Sequence, residues 1–421
     1  MKILLTLPRP LFPADLGGKI RTLNIFSHLA KRMEVHAISL ADPDSDAQAI
    51  VEMRQIFRSY TPIFWREKAK YSLGFYGGLL FNHLGRLPYS VAKYRLAQYR
   101  RAVEALAARE RFDLIFCDFL PPAAAVLETG LRPRVLFEHN VESLLRKRYW
   151  ETEQNPVRKW IFHAEWKKVE ALEAKLLRSS DYVIAVSEDD RQILQREFGV
   201  DHVSSIPTGV DTEFFRPPEV KPCPGRIVFV GSMDWYPNED GVIWFLQEVY
   251  PRLRKENNEV NLAVVGRNPS ARLLQIAANE PGVEITGRVD DVRPYLAQAS
   301  VVVVPLRIGG GTRIKIPEAM AMAKPVVSTR LGAEGLPLLP GREILLEDEP
   351  EGFARAIGSL LKDAARREAI GIAAREKVVR EHNWEVVADK VEQILKQVIA
   401  RNTKHAAMEF PARASEVLSQ T

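Results

Sequence analysis

The sequence predicts an α/β protein of two domains, each built on a doubly wound parallel sheet. Its 421 residues exceed what one ordinary hydrophobic core organises, so at least two domains are expected. Short apolar runs without polar alternation recur between amphipathic segments, a pattern typical of strands that are buried on both faces of a parallel sheet. A proline-dense stretch interrupts this alternation once, and the alternation then restarts.

The first half of the chain contains five apolar runs of strand length. They cover residues 3–7, 35–40, 114–117, 135–137 and 182–186, and segments with helical periodicity, such as 169–177 and 191–198, lie between them. Strands that alternate with helices predict a parallel sheet covered by helices. We therefore expect a Rossmann-like domain over residues 1–207, which we predict to bind the acceptor.

The second half repeats this pattern after a linker predicted at residues 208–224, where prolines are crowded. Its runs of strand length cover residues 227–230, 262–265, 283–285, 301–304 and 326–327, and its clearest helix covers 241–253. These runs predict a second Rossmann-like domain over residues 225–380. We expect residues 381–401 to form a helix that packs back on the first domain, and residues 402–421 to form a frayed tail.

Composition excludes several classes of protein. Two cysteines, Cys117 and Cys223, are too few for a disulfide framework or a cysteine metal site, and they indicate a reducing compartment. The net charge of +5 is mild and does not by itself indicate a nucleic-acid partner. No apolar segment reaches the length of about 18 residues that suggests a membrane span, and the first apolar run is too short for a secretory signal. We expect a cytoplasmic protein.

The stretch from residue 305 to residue 335 has the composition of a diphosphate-binding loop. A buried strand ends at Pro305, three glycines follow, and Pro317 is predicted to open a helix. The glycines allow the backbone to approach a ligand, Arg313 can bind phosphate oxygens in a bidentate manner, and Lys315 adds a point charge. Glu318 can accept hydrogen bonds from ribose hydroxyls. The spacing is not that of a Walker A loop. Taken singly, these residues also fit a flexible turn and an ordinary first helical turn.

Polar residues and glycines follow two predicted strands of the first domain. Gly17 and Gly18 come after the first strand, and His139 comes directly after the strand at residues 135–137. Ligands of open α/β sheets bind beyond the carboxyl ends of the strands, so these residues are predicted to face the site. Alternatively, the glycines belong to an ordinary helical turn and His139 is a satisfied structural histidine.

Five segments together resemble family 4 of the retaining glycosyltransferases, which have the GT-B fold of two Rossmann-like domains facing a cleft. They are EAMAMAKPVV from Glu318, followed by Gly332 and Glu334-Gly335; IPTGVDTEFFRP from Ile206; Phe229–Gly231; GRVDDVRPYLAQA from Gly287; and Asn383-Trp384. The resemblance is close in the second half and thinner in the first. It implies an enzyme that transfers a sugar from a nucleotide-diphosphate sugar to a glycan or lipid-linked acceptor, with retention. Bacterial polysaccharide or glycan assembly is the setting expected by analogy.

The resemblance also implies roles for individual positions. Glu318 would bind the donor ribose, and the backbone near Arg288 and Val289 would hold the base. His139 would bond a donor-sugar hydroxyl or carry charge near the reacting carbon. Three residues of the glycine loop would line the diphosphate, namely Gly310, Gly311 and Thr312. Gly17 and Gly18 would meet the donor phosphate or the acceptor.

Two departures from the family pattern shape the expected chemistry. The family commonly has a glutamate eight positions before Glu318, where this chain has Gly310, and it commonly has an arginine and a lysine in the stretch that is here residues 231–235. We hypothesise that Arg313 and Lys315 take over that positive role. The chain has no Asp-x-Asp motif and no cluster with metal-ligand spacing, so we expect neither a metal nor a cofactor beyond the donor itself.

A basic and aromatic surface is predicted over residues 54–111. This range contains twelve lysines and arginines but only three acids, and eleven aromatic residues lie among them. This composition suits an anionic membrane surface or a lipid-diphosphate acceptor, whereas the alternative is a solvated helical face with some aromatics in the core. Nucleic acid is not expected, because no nucleic-acid-binding motif accompanies the charge.

Three other functions compete with sugar transfer. A nucleotide-sugar epimerase on the same fold would need additional acid and base carboxylates, which the sequence does not reveal. A nicotinamide-dependent dehydrogenase would carry Gly-x-Gly-x-x-Gly after the first strand, and that motif is missing. A non-catalytic sugar-nucleotide-binding protein stays open because of Gly310.

Overall fold

A computed structural model describes residues 1–66, 85, 87–94, 96–217, 219–308 and 314–418. The chain divides into two compact units. The N-terminal unit comprises Met1–Ile206 together with Ala388–Thr421, and the C-terminal unit comprises Pro207–Val387.

The N-terminal unit is built on a parallel sheet of seven strands in the order β3-β2-β1-β4-β5-β6-β7. Its elements are β1 (Lys2–Leu7), α1 (Gly17–Leu29), β2 (Glu34–Ala41), α2 (Ala47–Ile56), β3 (Ser59–Phe64), α3 (Tyr89–Ala92), α4 (Leu96–Arg109), β4 (Leu114–Asp118), α5 (Leu120–Leu127), β5 (Arg134–Glu138), α6 (Glu142–Thr152), α7 (Pro156–Ser179), β6 (Tyr182–Ala185), α8 (Glu188–Phe198) and β7 (Val203–Ser205). The central strands β1, β4 and β5 are almost entirely buried, as their unbroken apolar runs predict.

The C-terminal unit has a parallel sheet of six strands in the order β10-β9-β8-β11-β12-β13. Its elements are β8 (Arg226–Val230), α9 (Tyr236–Trp244), a π-helical turn (Phe245–Val249), α10 (Tyr250–Glu256), β9 (Asn261–Val265), α11 (Ala271–Ala278), β10 (Val283–Gly287), α12 (Arg293–Gln298), β11 (Val301–Val304), α13 (Lys315–Ala321), β12 (Val326–Ser328), a 3-10 turn (Leu331–Ala333), β13 (Leu345–Leu346), α14 (Pro350–Lys362), α15 (Ala364–Glu381) and α16 (Trp384–Leu418).

The predicted fold class is confirmed, because each unit has a doubly wound parallel sheet covered by helices. In both sheets the strand order reverses next to the first strand, between β1 and β4 and between β8 and β11. Ligands of doubly wound sheets bind at such a switch point, beyond the carboxyl ends of the strands. The topology therefore marks one candidate ligand site in each unit.

Two local predictions need correction. Helix α13 begins at Lys315 and not at Pro317, which is its third residue. The proline is tolerated there because the N–H groups of the first turn have no intrahelical acceptor in any case. The helix predicted at residues 241–253 is divided by the π-helical turn into α9 and α10.

The first residues of the predicted linker are packed into the C-terminal unit. Thr208 is buried, and its carbonyl accepts a hydrogen bond from His382 Nδ1 at 2.9 Å. Gly209 faces the Trp384 ring so closely that an added Cβ would lie 2.2 Å from it. Side-chain contacts therefore fix this stretch of the chain.

The backbone of the last helix, α16, continues past residue 402 to Leu418. From Ala388 onward it belongs to the N-terminal unit, where Arg32 donates hydrogen bonds to Asp389 and, at 3.3 Å, to Glu392. Among the described residues, no helix has the length and apolarity needed to cross a membrane.

Candidate functional site

A buried polar cluster lies at the carboxyl ends of β4 and β5 in the N-terminal unit. His139 follows β5 and is only 4% exposed. Its Nε2 lies 2.7 Å from Asp118 Oδ1 at the end of β4, and its Nδ1 lies 3.0 Å from Arg21 Nη1 on α1. Thr22 donates its hydroxyl to the same Asp118 oxygen at 2.9 Å. Three elements that are distant in sequence therefore meet at His139.

The partners of His139 determine its tautomer. A carboxylate only accepts hydrogen bonds, so the proton is on Nε2, which donates to Asp118. A guanidinium only donates, so Nδ1 accepts from Arg21. Burial lowers the pKa of His139; the Asp118 carboxylate opposes this shift and the Arg21 charge reinforces it. The imidazole is therefore neutral at pH 7, and both of its nitrogens have protein partners.

Arg21 is a buried cation of the site. It is 4% exposed on α1. Burial lowers the pKa of Arg21 to about 10, while the carboxylates of Asp190 and Asp118 stabilise the charge. Because this pKa is still well above 7, the buried guanidinium stays protonated at physiological pH.

Phe119 packs over the polar cluster. Its ring stacks on His139 with centroids 4.0 Å apart and planes 14° apart. Its φ of 70° and ψ of 167° lie in a region that non-glycine residues rarely occupy, at a cost of about 1–3 kcal/mol, and such residues concentrate at functional sites. A Cβ added at Gly18 would lie 2.6 Å from Phe119 Cζ. Gly17 and Gly18 form the first turn of α1, and Gly18 allows that turn to approach the ring.

Two buried carboxyl groups lie beside this cluster. Glu138 is 2% exposed, and neither of its carboxyl oxygens has a hydrogen-bond partner among the described residues. Burial raises the pKa of Glu138 well above its usual range, and the charge of Glu173 acts in the same direction. Glu173 accepts hydrogen bonds from the backbone N–H groups of Glu142 and Ser143, at 2.7 and 3.2 Å, and burial raises its pKa to about 7. Glu173 therefore fixes the start of α6.

In the C-terminal unit, the side chain of Lys315 lies beyond the carboxyl end of β8, next to the switch point of the sheet. Its Nζ donates to Asn238 Oδ1 at 2.6 Å and lies 4.4 Å from the centroid of the Phe229 ring. Asn238 is itself buried and donates its Nδ2 to the Ser232 carbonyl at 2.8 Å. A Cβ added at Gly231 would lie 2.6 Å from Lys315 Nζ. The glycine after β8 therefore makes room for an ammonium group that comes from α13.

Glu318 lies one turn after Lys315 on the same helix and is half-buried. Burial raises the pKa of Glu318 to about 7, and the nearby charge of Lys315 opposes this shift. A carboxyl group with this pKa changes charge near physiological pH. Such a group, beside a fixed cation and close to the switch point of the sheet, is a candidate for ligand binding.

A second cation lies next to the β8 loop and was not predicted from the sequence. Arg267 follows β9 and donates its Nε to Ser232 Oγ at 2.9 Å. Ser232 in turn donates to Asp234, which also accepts from Asn268 Nδ2 at 3.0 Å; these hydrogen bonds lower the pKa of Asp234. The stretch at residues 231–235 has no basic residue of its own, and its cations come from β9 and α13.

The remaining predicted site residues fall into two groups. Four of them lie outside the described residues, namely Gly310, Gly311, Thr312 and Arg313. Arg288 is exposed and Val289 is half-buried; both follow β10, which β9 separates from β8 in the sheet. They therefore lie at the edge of the sheet, two strands away from the strand that leads to Gly231.

No group of three or more histidine, cysteine, aspartate or glutamate side chains could hold a metal ion within the parts of the chain that the structure describes. The basic surface predicted over residues 54–111 is only partly described by the structure, because residues 67–84, 86 and 95 lie outside the described residues. Four of its described aromatic residues, Phe57, Tyr60, Trp65 and Tyr99, are buried in the core, whereas Phe64 is 57% exposed.

Solved structures identify the class of fold. Sucrose-phosphate synthase of Thermosynechococcus elongatus matches with a TM-score of 0.70 at 18% identity, over 95% of this chain and 100% of that one. HepE of Anabaena, solved in complex with UDP and glucose, matches with a TM-score of 0.65 at 15% identity, over 94% and 99%. These similarities, with the two parallel sheets and a polar cluster at each switch point, define a GT-B protein.

Sequence comparison identifies the family. The model for glycosyltransferase family 4 matches residues 17–214, and the model for glycosyl transferases group 1 matches residues 224–363. A GDP-mannose-dependent alpha-(1-6)-phosphatidylinositol monomannoside mannosyltransferase of Mycolicibacterium smegmatis is 26% identical over 51% of this chain and 62% of its own length. The chain thus spans less than two thirds of that relative. The chain belongs to the family 4 glycosyltransferases.

Proposed function

We propose that the protein transfers a sugar from a nucleotide-diphosphate sugar to a glycan or lipid-linked acceptor, with retention and without a metal or a separate cofactor. In this proposal the C-terminal unit binds the donor and the N-terminal unit binds the acceptor. The observation that carries it is the Lys315 ammonium, which Asn238 and Gly231 hold beyond β8, with Glu318 one turn away.

The donor diphosphate requires positive charge close to the backbone. Lys315 supplies one cation at the switch point of the sheet, and Arg267 supplies a second beside Ser232. Arg313, which we predicted for the same role, precedes Lys315 by two residues in the sequence. Preorganised cations at the place where the leaving group gains charge stabilise the transition state without reorganisation, so they can replace a metal ion.

Glu318 is proposed to bind the donor ribose. Its carboxylate can accept hydrogen bonds from both ribose hydroxyls, whereas its protonated form loses part of that capacity. Since burial raises the pKa of Glu318 to about 7, this contact depends on pH in the physiological range.

His139 is proposed not to act as a base, and a hydroxyl of the donor sugar can bond its ring only by displacing Asp118 or Arg21. Its Nε2 proton is held by Asp118, and its Nδ1 lone pair is held by Arg21. In retention, the bond from the anomeric carbon to the diphosphate breaks while the acceptor oxygen bonds to that carbon on the same face. The acceptor proton then passes to the departing phosphate oxygen, so no protein base is required.

Two similar proteins support a nucleotide donor, because HepE of Anabaena was solved with UDP and the mannosyltransferase of Mycolicibacterium smegmatis depends on GDP-mannose. Calorimetric titration of the protein with UDP and with GDP tests the donor site. Saturable binding of either nucleotide supports the proposal, and the absence of binding of both would remove it. A comparison of nucleotide release with and without acceptor then separates a transferase from an epimerase or a non-catalytic binding protein.

An anionic membrane surface as a partner of residues 54–111 stays a prediction. The exposed Phe64 supports it, whereas the burial of Phe57, Tyr60 and Trp65 reduces the aromatic surface that is available. Co-sedimentation with vesicles of anionic and zwitterionic lipid at low salt tests it. Equal recovery with both vesicle types would exclude an electrostatic contact.

A further inference from the structure

A cavity of about 290 Å³ lies in the N-terminal unit, next to the His139 cluster. Phe119 and Gly18 belong both to its wall and to the immediate surroundings of the His139 ring. The volume is at the lower end of the range for small-molecule sites, so the cavity can hold part of a ligand but not a large one. A group bound there would lie beside the Phe119 ring.

The wall of this cavity is mainly apolar. Its apolar residues are Leu16, which precedes α1, Val91 in α3, Tyr94 just after α3, Leu120 at the start of α5 and Val169 in α7. Leu16 is 58% exposed. An apolar wall of this kind favours an alkyl or isoprenoid group over a sugar ring, because such a group has no hydroxyl to leave unpaired.

Two arginines, Arg9 and Arg146, line the cavity, and each has one N–H donor without a hydrogen-bond acceptor among the described residues. Arg9 donates Nη2 to Asp46 at 3.1 Å, but its buried Nη1 has no hydrogen-bond partner among the described residues. Arg146 lies 3.6 Å from Glu142, and its buried Nε likewise has no partner in that set. Lys19 and Glu142 also line the cavity, so its wall has three cationic side chains and one carboxyl group, and this excess of positive charge favours an anionic ligand.

We infer that this cavity binds an amphiphile in which an anionic group, a phosphate or a carboxylate, is attached to an apolar chain. Arg9 and Arg146 receive the anionic oxygens, and the apolar wall receives the chain. This inference rests on the proposed function only in identifying the amphiphile as the acceptor, since the cavity, its wall and the two arginines stand without it. It narrows the proposed acceptor from a glycan or lipid-linked acceptor to an anionic lipid.

Calorimetry with short amphiphiles tests this inference on the full chain. Butyl, hexyl and octyl phosphate form a series in which only the apolar chain changes, octanoate replaces the phosphate by a carboxylate, and inorganic phosphate and octyl glucoside each carry one half of the recognition chemistry. We expect octyl phosphate or octanoate to bind, with affinity rising along the series, and the better of the two identifies the anion. Equal binding of inorganic phosphate and octyl phosphate, or binding of octyl glucoside alone, would overturn the inference.

Two variants and one control connect this binding to the cavity. Arg146→Met and Arg9→Met keep an apolar stem and remove the charge, and each should weaken amphiphile binding by about tenfold or more, as loss of a charge-assisted hydrogen bond predicts. Lys147→Met is the control: it removes an exposed charge next to Arg146 on α6 and should leave amphiphile binding unchanged. Unchanged binding in both arginine variants would overturn the inference.

Nucleotide binding separates this inference from the proposed function. Each arginine variant should keep the wild-type affinity for UDP or GDP and the wild-type melting temperature within a few degrees, which also shows that it is folded. If the wild-type protein binds octyl phosphate but neither nucleotide, the proposed function fails and the cavity assignment stands. If it binds a nucleotide but none of the amphiphiles, the cavity assignment fails alone.

Discussion

The Lys315 ammonium lies where a side chain at position 231 would have to be: a Cβ added at Gly231 would come within 2.6 Å of Nζ. The same Nζ donates to Asn238 Oδ1 at 2.6 Å. The absence of a side chain after β8 and the presence of a lysine at the start of α13 are thus two parts of one arrangement. It explains how the loop at residues 231–235 can lack basic residues and still lie next to a cation.

Replacement of Gly231 by alanine should therefore weaken nucleotide binding more than it weakens the fold. The added Cβ would displace Lys315 Nζ and press on Asn238 Nδ2, which is 2.7 Å from the same position. We expect roughly a tenfold loss of UDP or GDP affinity, which corresponds to about 1.4 kcal/mol. Gly358→Ala is the matched control: Gly358 lies in α14, the nearest atom to an added Cβ there would be Glu256 Oε2 at 3.8 Å, and the substitution should leave nucleotide binding unchanged.

The raised pKa of Glu318 predicts pH-dependent donor binding. With a pKa of about 7, the carboxylate is about ten times more populated at pH 8 than at pH 6. A nucleotide sugar, whose diphosphate does not titrate in this range, should therefore bind up to about tenfold more tightly at pH 8. Calorimetry at both pH values measures this effect, and Glu318→Gln should abolish the difference between them.

The raised pKa of Glu318 also makes the stability of the fold depend on pH, but stability falls as the pH rises, whereas donor binding becomes tighter. Folding raises the pKa of Glu318 from 4.5 to about 7, so its stabilising contribution is complete below pH 4.5 and is lost as the pH rises through 7. The free energy of unfolding of the wild-type protein should accordingly fall, relative to Glu318→Gln, between pH 5 and pH 8. Urea unfolding at several pH values measures it, and parallel curves for the two proteins would contradict the assignment.

Asp118 should be essential to the stability of the His139 cluster. Asp118→Asn removes the charge that accepts from His139 and Thr22 and that stabilises the buried Arg21. Loss of one partner from a buried charged pair typically costs about 3–5 kcal/mol, which urea unfolding would detect as a lower midpoint. The control is Asp44→Asn, whose ion pair with Arg66 is exposed and should contribute less than about 1 kcal/mol.

Gly209 should tolerate no side chain. Alanine at this position would place Cβ 2.2 Å from the Trp384 ring, and the ring, which is 4% exposed, has little space to move. Overpacking of this kind costs about 1–3 kcal/mol, measurable by chemical denaturation. An unchanged unfolding midpoint would show that residues 208–212 are free to shift, as expected of a flexible linker and not of a packed segment.

The sequence pattern predicted the central strands well because their burial on both faces leaves unbroken apolar runs. It missed β3, which contains Pro62 and is only partly buried. This strand lies at the edge of its sheet, where a proline costs no ladder hydrogen bond on the solvent side. The other missed strands, β7 and β13, are also edge strands and have three and two residues, too few to show any periodicity.

The candidate site was predictable only where a single element carries it. Lys315 and Glu318 lie one turn apart on one helix, so their spacing is visible in the sequence. The hydrogen bond between Arg21 and His139 joins residues separated by 118 positions, and no local pattern reports it. The reasoning that selected His139 could have selected Asp118 as well, because Asp118 is the last residue of β4, a buried strand at the switch point.

The affinity of Lys315→Met for the donor nucleotide tests the central claim most directly. Lys362→Met, which removes an exposed ion pair with Glu256 in the same unit, is the control. If Lys315 binds the donor diphosphate, its replacement should raise the dissociation constant for UDP or GDP at least about tenfold, while the control stays within about twofold of the wild type. Equal nucleotide affinity in the wild-type protein and in a folded Lys315→Met variant would contradict the claim.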